Sequence, residues 1–316
     1  MVQNMKWLKK GRIFEPKGQT PWMKKYGILP TPYYIQEKNI LRIFFGTSAE
    51  DNVCKITYLD VNADNPSEVV YLHKEPLLTE GDMGLFDDNG VNPSQLVYFN
   101  HQPHLFYIGY QRLQSNAAYM LFASYAILND DLNKVIFRKK TPVLDRTDDE
   151  PFIRSALTII QEDDLYHLWY VSAHQWEHMN NTIFKNKWLP NYNIKYARTR
   201  DFKYFDVYSD SVIYPLNEEE FGFGRPWCIK ENNLFKMWYS LRRKNISYRI
   251  GYAESVDGIH WIRKDDEVGI DVSSDSNWDN EMICYPAVIK VKNKTYLFYN
   301  GNNNGATGFG YAELIE

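Results

Sequence analysis

FKMWYSLRRKNISYRIGYAESVDGIHWIRK, residues Phe235–Lys264, reads as three successive strands. Phe235–Leu241 and Tyr248–Ser255 are runs rich in aromatic and β-branched residues. Asp257-Gly258 supplies a hairpin turn, and Ile259–Lys264 forms a third, outer strand. Pro226–Lys230, followed by a turn at Glu231-Asn232-Asn233, adds an opening strand. The unit is a four-stranded antiparallel sheet.

The same phrase recurs along the chain. LRIFFG (Leu41–Gly46), HLFYIG (His104–Gly109), YHLWYV (Tyr166–Val171) and TYLFYN (Thr295–Asn300) match FKMWYS. KITYLD (Lys55–Asp60), LFASYA (Leu121–Ala126), NIKYAR (Asn193–Arg198) and GFGYAE (Gly308–Glu313) match RIGYAE. Five repeats of about 60–70 residues, built from strands, predict an all-β, five-bladed β-propeller occupying residues 1–316 as one domain. The fifth repeat has three strands of its own. Trp7-Leu8-Lys9-Lys10 resembles Trp261-Ile262-Arg263-Lys264, so Lys6–Ile13 is expected to complete that last blade as the N-terminal closing strand.

Composition excludes several classes. With 36 Lys and Arg against 40 Asp and Glu, the net charge of -4 leaves no basic footprint for nucleic acid or an anionic membrane. Met1–Phe14 lacks the apolar run of a signal peptide, and no apolar stretch approaches a membrane span, so a cytoplasmic protein is expected. Cys54, Cys228 and Cys284 are odd in number and form no Cys-x-x-Cys pair, which argues against a disulfide framework or a structural zinc site. No phosphate-binding glycine loop or nucleophile elbow is present, and no cofactor is called for. The oligomeric state is not legible.

In a propeller the segments leading into the innermost strands gather at one mouth of the central channel. These strands are GVNPSQLV (Gly90–Val97), FIRSALTI (Phe152–Ile159), FGRPWCIK (Phe223–Lys230) and ICYPAVIK (Ile283–Lys290), aligned on Pro93, Ser155, Pro226 and Pro286. Five residues upstream stand Asp88, Glu150, Phe221 and Glu281; the first repeat offers Lys25 or Gly27. Three carboxylates from separate blades suit glycoside chemistry, which needs one protonated and one ionised carboxyl group flanking a bond. Asp87-Asp88-Asn89-Gly90 and Asp148-Asp149-Glu150-Pro151 are also good turn sequences in their own right. One residue before the shared position stand Asn92, Arg154, Arg225 and Tyr285, which suit substrate binding together with Asp87, His174, Trp176 and Trp227. Trp22 and Trp278 lie on or beside loops feeding the same mouth. His174 and His178 lack a third ligand, so no metal site is assigned. Two long inserts, Ala173–Pro190 and Glu218–Gly224, are expected as functional loops, and Asn300–Gly305 as a turn over the mouth.

FDDNGVNPS (Phe86–Ser94), DEPFIRS (Asp149–Ser155), GRPW (Gly224–Trp227), YRIGYAESVDGIHW (Tyr248–Trp261), the segment Gly269–Pro286 and YNGNNNGATGFGYAEL (Tyr299–Leu314) carry a further likeness. Through them nearly the whole chain resembles bacterial glycosylase-like proteins of the five-bladed propeller glycoside hydrolase superfamily, which includes arabinanases, invertases, levansucrases and mannoside phosphorylases. The resemblance implies a glycoside hydrolase acting on a small saccharide or glycoconjugate, with Asp88, Glu150 and Glu281 as its acidic trio. Glu281 would serve as general acid, Asp88 as base or nucleophile, and Glu150 as modulator or sugar ligand. A phosphorylase or glycosyltransferase on the same fold and a non-catalytic sugar-binding propeller are the alternatives.

Overall fold

The computed structural model describes residues 5–315. Its strands fall into groups of four. β1 (Trp7–Phe14) stands apart in sequence. β2 (Lys25–Ile35), β3 (Ile40–Ser48), β4 (Lys55–Asn62) and β5 (Asn65–Leu72) make the first unit. β6 (Val91–Phe99), β7 (Gln102–Arg112), β8 (Tyr119–Leu128) and β9 (Val135–Arg138) make the second. β10 (Ile153–Glu162), β11 (Leu165–Met179), β12 (Lys187–Thr199) and β13 (Asp206–Val207) make the third. β14 (Glu220–Glu231), β15 (Leu234–Arg243), β16 (Arg249–Ser255) and β17 (Ile262–Arg263) make the fourth. β18 (Cys284–Val291), β19 (Lys294–Asn300) and β20 (Phe309–Leu314) begin the fifth, and β1 pairs antiparallel with β20, Trp7 opposite Leu314 and Phe14 opposite Phe309. A short parallel pairing of β8 with β10, at Ile153 and Arg154, joins the second and third units into one sheet.

The paired aromatic residues of each second strand explain the packing. Successive side chains on a strand point to opposite faces, so a doublet places one ring on each side of its sheet. Phe44 packs with the second unit and Phe45 with the fifth. Phe106 faces the third unit and Tyr107 the first. Trp169 and Tyr170 reach the fourth and second units, and Trp238 and Tyr239 the fifth and third. Four of the five core clusters therefore lie between sequence-adjacent units, the largest also joining the fifth to the first, while the other gathers Leu29, Ile108, Ile153 and Val171 from three units. Burying each such ring contributes about 1.5–3 kcal/mol relative to exposure.

Three connections differ from the sequence reading. Ala173–Pro190 is a hairpin: β11 and β12 stay in register from Trp176–Pro190 to Met179–Lys187. Asn181 Oδ1 accepts from the backbone amides of Ile183 and Phe184 at its tip, which lets the pair extend beyond the sheet. Most of Glu218–Gly224 belongs to β14, because Glu220, Gly222, Phe223 and Gly224 pair with Arg243, Arg242, Leu241 and Ser240. Asn300–Gly305 contains a short helical turn, Asn302–Gly305, with Asn303 and Asn304 in left-handed backbone. No helix among the described residues is long and apolar enough to cross a membrane.

Candidate functional site

The strand register corrects the alignment of the inner strands. Each innermost strand carries a β-bulge against its neighbour: between Ile28 and Thr31, Pro93 and Gln95, Ser155 and Thr158, Gly224 and Trp227, and Cys284 and Ala287. Ile28, Asn92, Ser155, Gly224 and Cys284 pair respectively with Gly46, Ile108, Val171, Ser240 and Asn300, the residues immediately after the repeated second aromatic position. The bulged residues are then Leu29, Pro93, Ala156, Arg225 and Tyr285. The reading that aligned Ser155 with Pro226 is two residues out of register in the third unit, and the one that aligned Pro93 with Pro226 is one out in the second.

Leu29, Ala156, Arg225 and Tyr285 all adopt left-handed backbone, with φ between 44° and 59°. Such conformations cost of order 1–3 kcal/mol for residues other than glycine and concentrate at functional sites. Pro93 cannot follow, because its ring holds φ near −65°, and in the second unit it keeps its pairing with Tyr107. Four equivalent strained residues converge on one cavity of about 270 Å³, lined by Ile28, Leu29, Asn92, Ser155, Ala156, Gly224, Arg225 and Tyr285 from the inner strands. Tyr110, Tyr119, Leu121 and Tyr192, with Ile108 and Val171, complete the wall. A roomier hollow of about 750 Å³ lies beside β13. It is an open groove at the sheet edge, bordered by the exposed ion pair Arg198–Asp206, and brings no strained backbone together.

Four polar side-chain atoms of the central cavity are unsatisfied. Asn92 Oδ1, Ser155 Oγ, and Arg225 Nε and Nη1 are buried without a hydrogen-bond partner among the described residues. Arg225 is 1 % exposed and reaches from β14 to the first and second units. Its Nη2 donates to Thr31 Oγ1 at 3.0 Å and to the carbonyls of Pro30 and Ser94 at 3.3 Å. Burial pulls its pKa down to about 9, and Tyr285 opposes that shift, so it is charged at neutral pH. Gly46 admits Asn92: a Cβ there would sit 2.0 Å from Asn92 Oδ1. Tyr119 and Tyr192 share a hydroxyl contact of 2.9 Å, and Trp176 meets Tyr119 edge-on at 5.6 Å. Buried polar atoms normally find partners, and a set of orphans around one cavity is the signature of a ligand site.

The acids lie elsewhere. In the corrected register Asp87, Glu150 and Asp279 occupy one station, six residues before the bulge, and each is clamped to the repeated tyrosine. Tyr107 donates to Asp87 at 2.8 Å, with Arg138 at 2.5 Å from the same oxygen. Tyr170 donates to Glu150 at 3.0 Å, and Arg154 stands 3.4 Å from it. Tyr299 donates to Asp279 at 3.0 Å, and Lys9 of β1 donates at 2.7 Å. In the fourth unit Tyr239 donates to Asp265 at 2.6 Å, while Arg263 joins that carboxylate to buried Glu220. Burial, reinforced by the adjacent carboxylate, pushes all four tyrosine pKa values up. The first unit has Phe45 at the tyrosine position and buried Met23 at the acid station, so no hydroxyl there needs an acceptor.

Asp88, Glu150 and Glu281 are therefore not brought together around a common cavity; none lines it. Asp88 is half-buried and accepts from the Gly84 amide at 2.9 Å, as a turn residue does. Glu281 is exposed, its backbone amide held by Asn302 Oδ1. Of the expected binding residues, Asn92, Arg225 and Tyr285 meet at the cavity and Trp176 stands behind its wall. Arg154 precedes Ser155 by one, so strand alternation turns it into the clamp with Asp87's counterpart Glu150. Trp227 donates to the Val288 carbonyl between the fourth and fifth units, with the Arg225 guanidinium 5.0 Å above its ring. Trp278 is likewise buried, stacked on Tyr299. His174 is exposed beside Asn193, and His178 bonds Asn186. Ser155, Tyr119 and Tyr192 were missed: the first through the register slip, the others because they lie on β8 and β12 just ahead of the repeated LFASYA and NIKYAR stretches.

No protein-family model matches the chain. It is 31% identical over 311 residues to the uncharacterised protein Rv1502 of Mycobacterium tuberculosis (strain ATCC 25618 / H37Rv), covering 98% of this chain and 99% of that one. The chain belongs to the Rv1502 family. Among solved structures it is similar to a glycoside hydrolase, with TM-score 0.69 and 17% identity, covering 98% of this chain and 92% of that one. It is also similar to an endo-arabinase from Bacteroides thetaiotaomicron VPI-5482, with TM-score 0.61 and 13% identity over 97% and 98% of the two chains. The all-β fold of this Rv1502 relative is thus similar to that of these two structures.

Proposed function

We propose that this chain is a five-bladed propeller, closed by β1 and forming one domain, that holds a saccharide in the bulge-ringed central cavity and acts on its glycosidic bond. The observation that carries the reading is the convergence of orphaned Asn92, Ser155 and Arg225 groups with tyrosine faces in one strained, axial pocket. Its volume, about 270 Å³, is near the lower end of ligand pockets and suits one sugar residue. The cyclic order of the core clusters supports the ring. Free, buried Cys54, Cys228 and Cys284 accord with a reducing, cytoplasmic setting.

For cleavage, a carboxyl pair must come from above the cavity. Asp88 and Glu281 are the two members of the sequence-derived trio that are outside the tyrosine clamps, and they are assigned the acid/base work. Glu150 is assigned to the scaffold. The lack of a carboxylate among the cavity-lining residues favours a second reading, saccharide binding without cleavage. A glycan panel read by calorimetry and by NMR of the product anomer separates the two. Turnover that vanishes in Asp88→Asn or Glu281→Gln supports the hydrolase; binding with no turnover supports the binding protein. A panel with neither binding nor turnover overturns the proposal.

A further inference from the structure

Arg225 at the cavity and Arg242 behind its wall carry buried charge with no carboxylate partner among the described residues. Arg225 and Arg242 are each 1 % exposed, and no carboxylate lies within ion-pair distance of either among the described residues. Arg242 sits behind the Tyr192 wall, its guanidinium 4.5 Å from that ring and 4.4 Å from Phe221. Its Nη1 donates to the Pro190 carbonyl at 2.7 Å, and its Nε has no partner. The other buried arginines of this molecule differ: Arg42 is paired with Asp60 and Arg154 with Glu150. Burying an isolated charge is costly, and buried charges are normally paired. Aromatic faces and carbonyl oxygens offset part of that cost but leave the net charge.

We propose that the saccharide taken by the central cavity is acidic, bearing a carboxylate or a phosphate that completes the charge of Arg225, with Arg242 strengthening the positive field behind the Tyr192 wall. This rests on the cavity being the saccharide site. Arg225 Nε and Nη1 keep free N–H donors, each able to give a charge-assisted hydrogen bond to a separate anionic oxygen, while Nη2 is held by Thr31, Pro30 and Ser94. Asn92 and Ser155 remain for sugar hydroxyls, and the tyrosines for the sugar's apolar face. The absence of any lining carboxylate fits the same assignment, since an acid there would repel the ligand.

The test is titration calorimetry of the intact chain with glucose, glucuronate, glucose 6-phosphate and inorganic phosphate, extended to uncharged and uronate-containing oligosaccharides, on wild type, Arg225→Gln and Arg242→Gln. An acidic sugar is expected to bind at least tenfold more tightly than its neutral parent. That preference should fall at least tenfold in Arg225→Gln and less in Arg242→Gln. The glucuronate and phosphate arms tell which anion is meant. Should Arg225→Gln fail to fold, the acidic-to-neutral ratio in wild type and its change in Arg242→Gln decide the matter. Equal affinity for acidic and neutral sugars, or a preference untouched by either folded variant, overturns the charge assignment while leaving the cavity as a sugar site. No saccharide binding of any kind overturns both.

Discussion

The tyrosine clamps, made from segments flanking the strands and from the second strands, adjoin the central cavity at the inner-strand bulges, yet the two treat polar groups in opposite ways. Six residues before the bulge, each buried acid meets a hydroxyl and a cation, as in Asp87 with Tyr107 and Arg138. At the bulge and just before it, Asn92, Ser155 and Arg225 are buried with atoms left over. Charge that is matched inside the protein holds units together; polar capacity left unmatched around a cavity is available to a ligand. Of the acids that looked catalytic by type, Glu150 is in the first region, and the ligand site is in the second.

The largest way to break the contrast is to remove residues 1–14. This deletes Lys9 from the Asp279 clamp and opens the β20 edge, so loss of the soluble, folded protein is expected, as checked by size-exclusion chromatography and circular dichroism. A normally folded truncation would show that β1 is dispensable. Next, Arg263→Met strands Glu220 and Asp265 without their shared cation and should lower unfolding free energy in urea by about 3–5 kcal/mol.

The pH dependence of that deficit has a definite sign. Burial raises the Glu220 pKa, but hydrogen bonds from Arg263 and the Leu216 amide outweigh it, leaving the value below the ordinary 4.5. A depressed folded pKa stabilises above the unfolded value and is lost as pH falls through the folded one. The gap between wild type and Arg263→Met should therefore be full near neutrality and shrink below pH 4.5. A gap that widens in acid contradicts the clamp.

Smaller effects sharpen the comparison. Tyr107→Phe removes a donor to a charged acceptor and should cost about 1.5–3 kcal/mol, whereas Phe45→Tyr inserts a hydroxyl beside no acid and should cost about 1–3 kcal/mol. Opposite changes at equivalent positions both destabilise only if the clamp is present in four units and missing in one. Smallest in stability, Asn92→Ala and Ser155→Ala should shift unfolding by about 0.5 kcal/mol or less, while weakening saccharide binding in calorimetry.

The fold was legible because strand alternation leaves its mark directly in sequence: Phe44-Phe45, Phe106-Tyr107, Trp169-Tyr170 and Trp238-Tyr239 must each serve two neighbouring cores. The cavity was half legible. Asn92, Arg225 and Tyr285 stood out as polar or aromatic residues beside a shared proline or serine position, but a bulge inserts a residue without any consensus, so Ser155 was assigned to the wrong register and Arg154 to the wrong face. Acid residues were visible and their partners were not. Nothing in Glu150's neighbourhood in sequence announces the hydroxyl of Tyr170, twenty residues on, and Tyr119 and Tyr192 reach the cavity only through tertiary packing.

The most direct test sets Glu150→Gln beside Arg225→Gln, measuring saccharide affinity and urea stability for each. Glu150→Gln is expected to keep the affinity of wild type and lose stability, because Arg154 loses its counter-charge; Arg225→Gln is expected to stay folded and lose the ligand. The reverse pattern, with Glu150→Gln as stable as wild type but unable to bind or turn over the saccharide and Arg225→Gln unaffected in both, would contradict the account.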